Sequence, residues 1–227
     1  MSSSLWGTAF AVAAKDLKIE WRTKTAFASS LVFAVLVLAI FYFSRDSTVV
    51  SELDIAPAAI WVTFTFAAML GLNRAFLLEQ ENRAIDGLLL SPVPRTGIFV
   101  GKMLGNLAFV AVVELVSFPL FSLFFNVPIL HVLPALLGVA AMATIAFVTV
   151  GTLLSAMVVR TRFAELMLPI LLLPFLVPPI IGAVQITAGI LAGRSMSEFA
   201  GWLKLLGAFD IAFITACLLL FEATVEE

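Results

Sequence analysis

Glu114 and Asp210 are carboxylic acids set inside long apolar runs, VAVVELVSF and GAFDIAF. Ionisable groups in such surroundings are costly to hold in hydrocarbon and are functional candidates by default. Glu114 has a functional reading, as part of a substrate path or of coupling. Its structural reading is a neutral acid bonded to a Ser, Thr or backbone group on a neighbouring helix. Asp210 reads as structural, paired with another span, because Lys204 lies six residues away and shares its helix face poorly. His131 is the single histidine and stands just before Pro134 at the end of an apolar run, a common setting for an interfacial polar group. Cys217 is the single cysteine, so it closes no internal disulfide, and it reads as a small packed side chain. One His, one Cys and two isolated acids make neither an H-E-x-x-H nor a G-x-S-x-G arrangement, which leaves an intramembrane enzyme without a nucleophile–base pair or metal cluster. The only Gly-Lys pair, Gly101-Lys102, continues into Met103, so the sequence has no phosphate-binding G-x-x-x-x-G-K-[ST] loop.

A second set of chemically active residues lies between Asn73 and Arg95, NRAFLLEQENRAIDGLLLSPVPR. The first part reads as a helix carrying Glu79, Glu81, Arg83 and Asp86 out of an apolar run. Gly87 breaks it, Leu88, Leu89 and Leu90 form an apolar knob, and Pro92 and Pro94 stop further helix. Leucines beside exposed acids make a groove-filling anchor with a charged rim, the chemistry of a docking surface. The alternative is that the leucines lie back on a membrane surface.

The elements that must position these residues follow from composition. The 227 residues are 62% hydrophobic and 12% charged, against roughly 45–50% and 25% in soluble domains. A soluble globule cannot cover its surface with so little polar material. A net charge of −2 leaves no basic footprint for nucleic acid. The sequence is therefore read as an all-α membrane protein, one permease-like domain over 1–227. Six runs are long enough to cross about 30 Å of hydrocarbon: 26–43, 56–78, 98–125, 132–158, 163–188 and 202–221. The third to fifth exceed that length and call for tilt, kinks or protrusion.

The cations set the orientation. Lys15, Lys18, Arg22, Lys24, Arg74, Arg83, Arg95, Lys102, Arg160 and Arg162 fall on one side, and Arg45, Arg194 and Lys204 on the other. The excess marks the cytoplasmic face and puts both termini there. Residues 4–24 read as an amphipathic interfacial helix rather than a signal peptide. Trp6, Phe10, Ala13, Leu17 and Trp21 share one face, and Lys15, Lys18 and Arg22 the opposite one, toward anionic lipid. Gly97, Gly101 and Gly105 form a ridge that admits another helix closely, suited to a lever or to ordinary packing. Pro169, Pro174, Pro178 and Pro179 read as breaks or hinges in the fifth span, with Pro174 and Pro178 at a moving interface. The stretch Gly189 to Gly201 reads as a turn with Arg194 and Glu198 at its tip.

The segment EQENRAIDGLLLSPVP from Glu79 to Pro94, between the second and third of six spans, resembles the coupling segment (about 79–95) of ABC-2-type transporter permeases. With Ala56-Pro57-x-x-Ile60-Trp61, Asn73-Arg74-x-Phe76 and LPILLLPFLVPP from Leu168 to Pro179, the whole chain most resembles the CcmB family of haem-exporter permeases of cytochrome c maturation. The resemblance implies a cytosolic ATPase partner (CcmA-like) whose cleft takes the coupling residues Glu79, Glu81, Arg83, Asp86, Gly87, Leu88, Leu89 and Leu90. It also implies a haem-handling membrane protein (CcmC-like), a haem chaperone (CcmE-like) and residence in a bacterial inner membrane. Haem enters as substrate, not as resident cofactor, and its export and release of a haem-loaded chaperone stay open as alternatives. In that light His131 is a candidate haem ligand, while Cys217 lacks the C-x-x-C-H context for covalent attachment. Six spans without an internal repeat call for a second copy of the chain. An ABC-2 permease for a drug, lipid or polysaccharide, or a non-transporting assembly platform, fits the same coupling segment.

Overall fold

The computed structural model describes residues 4–45, 51–81, 93–158 and 164–226. Among these residues there are seven helices and no strand, and six of the helices are long and apolar enough to cross a membrane. The helices are α1 (Leu5–Thr23), α2 (Thr25–Ser44), α3 (Glu52–Glu81), α4 (Arg95–Phe125), α5 (Leu133–Val158), α6 (Ala164–Leu191) and α7 (Met196–Glu226). The chain is thus an all-α, multi-pass membrane protein.

α1 starts on a side-chain cap: Ser4 Oγ accepts the Gly7 N–H at 3.1 Å. It stops at Lys24, a non-glycine residue with φ +54°, a left-handed conformation that costs roughly 1–2 kcal/mol. Two hydrogen bonds hold that corner. The Lys24 N–H donates to the Glu20 carbonyl at 2.7 Å, and the Phe27 N–H donates to Glu20 Oε1 at 2.9 Å. Glu20 thereby closes one helix and caps the first turn of the next, α2.

α3 is the most enclosed span and packs against α2, α4, α5 and α6, while α7 is the most peripheral. One apolar cluster surrounds Trp61, Phe64, Phe118, Phe121 and Phe125 toward the α4–α5 connection. Its rings meet edge to face, Trp61 on Phe64 at 5.6 Å and Phe64 on Phe118 at 5.2 Å. A second cluster gathers Met69, Leu72, Phe99, Leu172 and Phe221 near the start of α4. In the first, Trp61 Nε1 donates to Thr187 Oγ1 at 2.8 Å and ties α3 to α6. Trp61→Phe is expected to cost about 1 kcal/mol by removing that bond. Thermal unfolding in detergent checks it, with a fall of about 2–4 °C; an unchanged midpoint would show the bond to be idle.

The structure corrects two sequence expectations. α6 runs as one helix through Pro169, Pro174, Pro178 and Pro179, where those residues read as breaks. The missing N–H groups leave the carbonyls of Glu165, Ile170, Pro174 and Phe175 without their intrahelical donors. Leu168, Leu172, Leu176, Ala183 and Ile186 still recur on one buried face, and that packing keeps the helix continuous. The stretch from Gly189 to Gly201 is not a long turn either, since only 192–195 lie outside helix. Gly193, at φ +66°, ends α6 with the Arg194 N–H on the Gly189 carbonyl and the Gly193 N–H on the Ile190 carbonyl. Glu198 then holds the start of α7, its Oε1 accepting the Ser195 N–H at 3.2 Å and the Ser195 hydroxyl at 3.0 Å.

Candidate functional site

α4 is the element on which most polar features converge. Its 31 residues span about 46 Å at 1.5 Å per residue, more than about 30 Å of hydrocarbon needs. The excess leaves room for its first turns to serve as a packing surface, and α1 lies lengthwise on them. Gly97, Gly101 and Gly105 recur every four residues and so share one face. Gly97 faces Leu5 and Thr8, Gly101 faces Ala9 and Val12, and Gly105 faces Ala13 and Asp16. A Cβ at Gly101 would stand 2.6 Å from the Ala9 carbonyl oxygen and 2.7 Å from Val12 Cβ, so a glycine is required there.

Consequently α1 has three faces rather than two. Thr8, Ala9, Val12 and Ala13 are buried on α4; Trp6, Phe10, Leu17 and Trp21 are exposed; Lys18 and Arg22 are exposed on a third side. Ala13 leaves the aromatic face to which its spacing assigned it, because a methyl group fits the glycine ridge. On the buried edge, Asp16 accepts from Lys102 Nζ through Oδ2 and from Lys15 Nζ through Oδ1, each at 3.0 Å. Lys102 is only 8% exposed, and that carboxylate pairs with its charge.

Farther along, α4 and α5 share a buried polar seam. Asn106 Nδ2 donates to Thr152 Oγ1 at 3.2 Å. Thr149 donates to the Ile145 carbonyl at 2.7 Å and touches Met103 Sδ at 3.4 Å. The Thr144 hydroxyl donates to Glu114 Oε1, and both residues are buried. Ser117 returns its proton to the Val113 carbonyl at 2.7 Å. The Ser155 hydroxyl is enclosed and has no hydrogen-bond partner among the described residues. Beyond Ser117 the seam ends on Phe118, Phe121 and Phe125.

The remaining candidates are dispersed. Asp210 lies four residues after buried Leu206 and seven before buried Cys217, on the inward stripe of α7. Its Oδ1 is enclosed without a hydrogen-bond partner among the described residues, so the expected pairing with another span is not found there. His131 is exposed in the α4–α5 turn. Beside it, a groove of about 530 Å³ is lined by Leu115, Phe118, Pro119, Ser122, Leu130 and Leu133 among others, but not by His131. Pro174 and Pro178 are exposed on the outward side of α6. α3 continues as helix to Glu81, but the side chains of Glu79 and Glu81 lie outside the described residues. So do Arg83, Asp86, Gly87, Leu88, Leu89 and Leu90 entirely.

Sequence reasoning missed Asn106, Thr144, Thr149, Thr152 and the Asp16–Lys102 pair. A weak signal was available: Thr144, Thr149, Thr152 and Ser155 recur at three to five residues in an otherwise apolar helix.

The model of the family described as CcmB protein matches residues 7–226. Heme exporter protein B of Pseudomonas aeruginosa is 27% identical over 201 residues, 87% of this chain and 88% of that protein. The protein of the same name from Paracoccus denitrificans is 28% identical over 176 residues, 77% of this chain and 80% of its own length. That of Rhodobacter capsulatus is 26% identical over 179 residues, covering 78% and 80%.

Proposed function

Because this chain belongs to the CcmB family, we propose that it is the membrane-spanning permease subunit of an ABC transporter that exports haem for c-type cytochrome assembly. The match over nearly the whole chain carries the reading, and the six membrane-crossing helices supply the body such a subunit requires. The chain works as a single permease domain in a bacterial inner membrane, with both termini cytoplasmic on the side richer in Lys and Arg. It hydrolyses no ATP itself, since no phosphate loop is present in its sequence. A cytosolic ATPase (CcmA-like) supplies that step, and a second copy of the chain completes the pore. A CcmC-like haem-handling protein and a CcmE-like chaperone are the further partners.

The coupling segment is the stretch 79–95, from the last residues of α3, which ends at Glu81, to the start of α4 at Arg95. Glu79, Glu81, Arg83 and Asp86 form the charged rim, and Leu88, Leu89 and Leu90 beyond Gly87 the apolar anchor in the ATPase cleft. Glu114, bonded to Thr144 across the α4–α5 seam, fastens those helices, with a part in the substrate path as the alternative. Asp210 stands on the inward stripe of α7, and His131 lies exposed at the α4–α5 turn as a candidate haem contact. Pro174 and Pro178 give α6 its capacity to bend where it faces outward.

Asp86→Lys together with Leu88→Lys tests the reading. Replacing an anchor leucine and reversing a rim charge is expected to lower the co-purifying ATPase by about tenfold or more. Undiminished association would remove the docking role from this segment.

A further inference from the structure

The contact between α1 and α4 has a geometry that ordinary interfacial anchoring does not need. A helix that only rests on a membrane surface has no use for backbone-to-backbone contact with a span. Here Gly97 and Gly101 bring the α4 backbone against the Leu5 and Ala9 carbonyls, and there is no slack for sliding. At the next turn, Asp16 of α1, partly exposed, reaches the buried Lys102 of α4 at 3.0 Å. Pulling the helices apart would break that ion pair along with the close backbone contact. At its other end α1 is tied to α2 through Glu20, whose carbonyl and carboxylate hold Lys24 and Phe27 across the corner. Its third face exposes Trp6, Phe10, Leu17 and Trp21, a set that holds to a membrane surface.

These observations describe a helix held on two sides. Lipid favours leaving it in place, whereas the glycine ridge and the ion pair favour moving it with α4. We propose that Asp16 and Lys102 are positioning residues that pin α1 to the start of α4, so that both move as one body and carry α2 with them through the Lys24 corner. The proposal rests on the coupling reading of segment 79–95, because α4 begins at Arg95 and its first turns receive whatever motion that segment delivers. α1 then acts as a strut that passes the motion to α2, not as a passive anchor.

The test uses the full membrane complex with its ATPase. Asp16→Asn, Lys102→Met and the exchange Asp16→Lys with Lys102→Asp are compared with the unaltered chain. Four quantities are read: chain in the membrane, co-purifying ATPase, ATP hydrolysis by the complex, and yield of c-type cytochrome. The single variants are expected to keep the first three within about twofold while the cytochrome yield falls about tenfold, and the exchange restores at least about half of it. Normal cytochrome yield in the single variants overturns the proposal. So does an exchange no better than either single change, or a yield that falls only in step with the amount of chain.

Should Lys102→Met fail to accumulate, Asp16→Asn carries the test beside Asp16→Glu, since the Asp16 side chain is partly exposed. Asp16→Glu keeps the carboxylate and is expected to retain at least about half of the cytochrome yield that Asp16→Asn loses. Equal loss of yield in the two variants overturns the proposal. Failure of the function reading looks different: the unaltered chain would then bring down no ATPase, and both ideas would fall.

Discussion

Glu114→Lys is expected to prevent accumulation of folded protein, while Glu114→Gln leaves folding close to unaltered. Glu114 is 4% exposed and Thr144, whose hydroxyl donates to it, 2%. An ammonium group in that seam would meet Thr144, Ser117 and apolar neighbours, with no carboxylate described beside it. The cost of an uncompensated buried charge is about 3–5 kcal/mol, a large share of a typical stability of roughly 5–15 kcal/mol. The Gln amide keeps a carbonyl oxygen for the Thr144 hydroxyl. Glu114→Leu falls between them at about 1 kcal/mol, because Thr144 can turn back to its own helix carbonyl. The amount of chain in membranes and thermal unfolding in detergent separate the three. A Lys variant that melts with the unaltered protein would refute the argument. The Gln variant also divides the two readings of this acid: full stability with lost cytochrome yield gives Glu114 a part in transport, and retained yield leaves it a helix fastener.

Gly101→Leu is expected to free α1 from α4. The added Cβ alone would stand 2.6 Å from the Ala9 carbonyl oxygen and 3.1 Å from Ala9 Cα, atoms that move only if the whole helix moves. Overpacking of this kind costs roughly 1–3 kcal/mol, and loss of the Asp16–Lys102 contact adds to it. Release is read by Val12→Cys, a buried position on α1 that would become reactive to a water-soluble maleimide. Gly105→Ala is the control: its Cβ would meet Asp16 and Ala13 at 3.5–3.6 Å, ordinary contact, so it is expected to be neutral or to stabilise by about 0.5–1 kcal/mol. Equal labelling of Val12→Cys in both backgrounds would show that the ridge does not hold α1.

Much of the fold was legible because its signals are local. A run such as 26–43 is apolar enough to cross a membrane whatever packs beside it, and α2 occupies Thr25–Ser44. The helix ends were less legible where backbone chemistry competes with composition. The Gly189–Gly201 stretch looked turn-like by its glycines, yet Gly193 and the Ser195–Glu198 hydrogen bonds confine the turn to 192–195. Proline frequency likewise overstated the breaks in α6, since burial of its leucine face outweighs lost backbone bonds.

The site was less legible. Glu114 and the Gly97–Gly105 ridge stood out as an acid and a spacing, but neither announces its partner. Any of several hydroxyls could have met Glu114; the register of α4 against α5 selects Thr144. Any helix with small residues could have filled the ridge; α1 does so because Ala9, Val12 and Ala13 share a face with Asp16, which then finds Lys102.

The sequence by itself therefore determined the solvent, the helix count and the family, since apolar length and short motifs survive without coordinates. Only the tertiary structure decided which polar groups meet. In a membrane interior most side chains are interchangeable apolar filler, and helix register and close approach alone convert scattered polar residues into pairs.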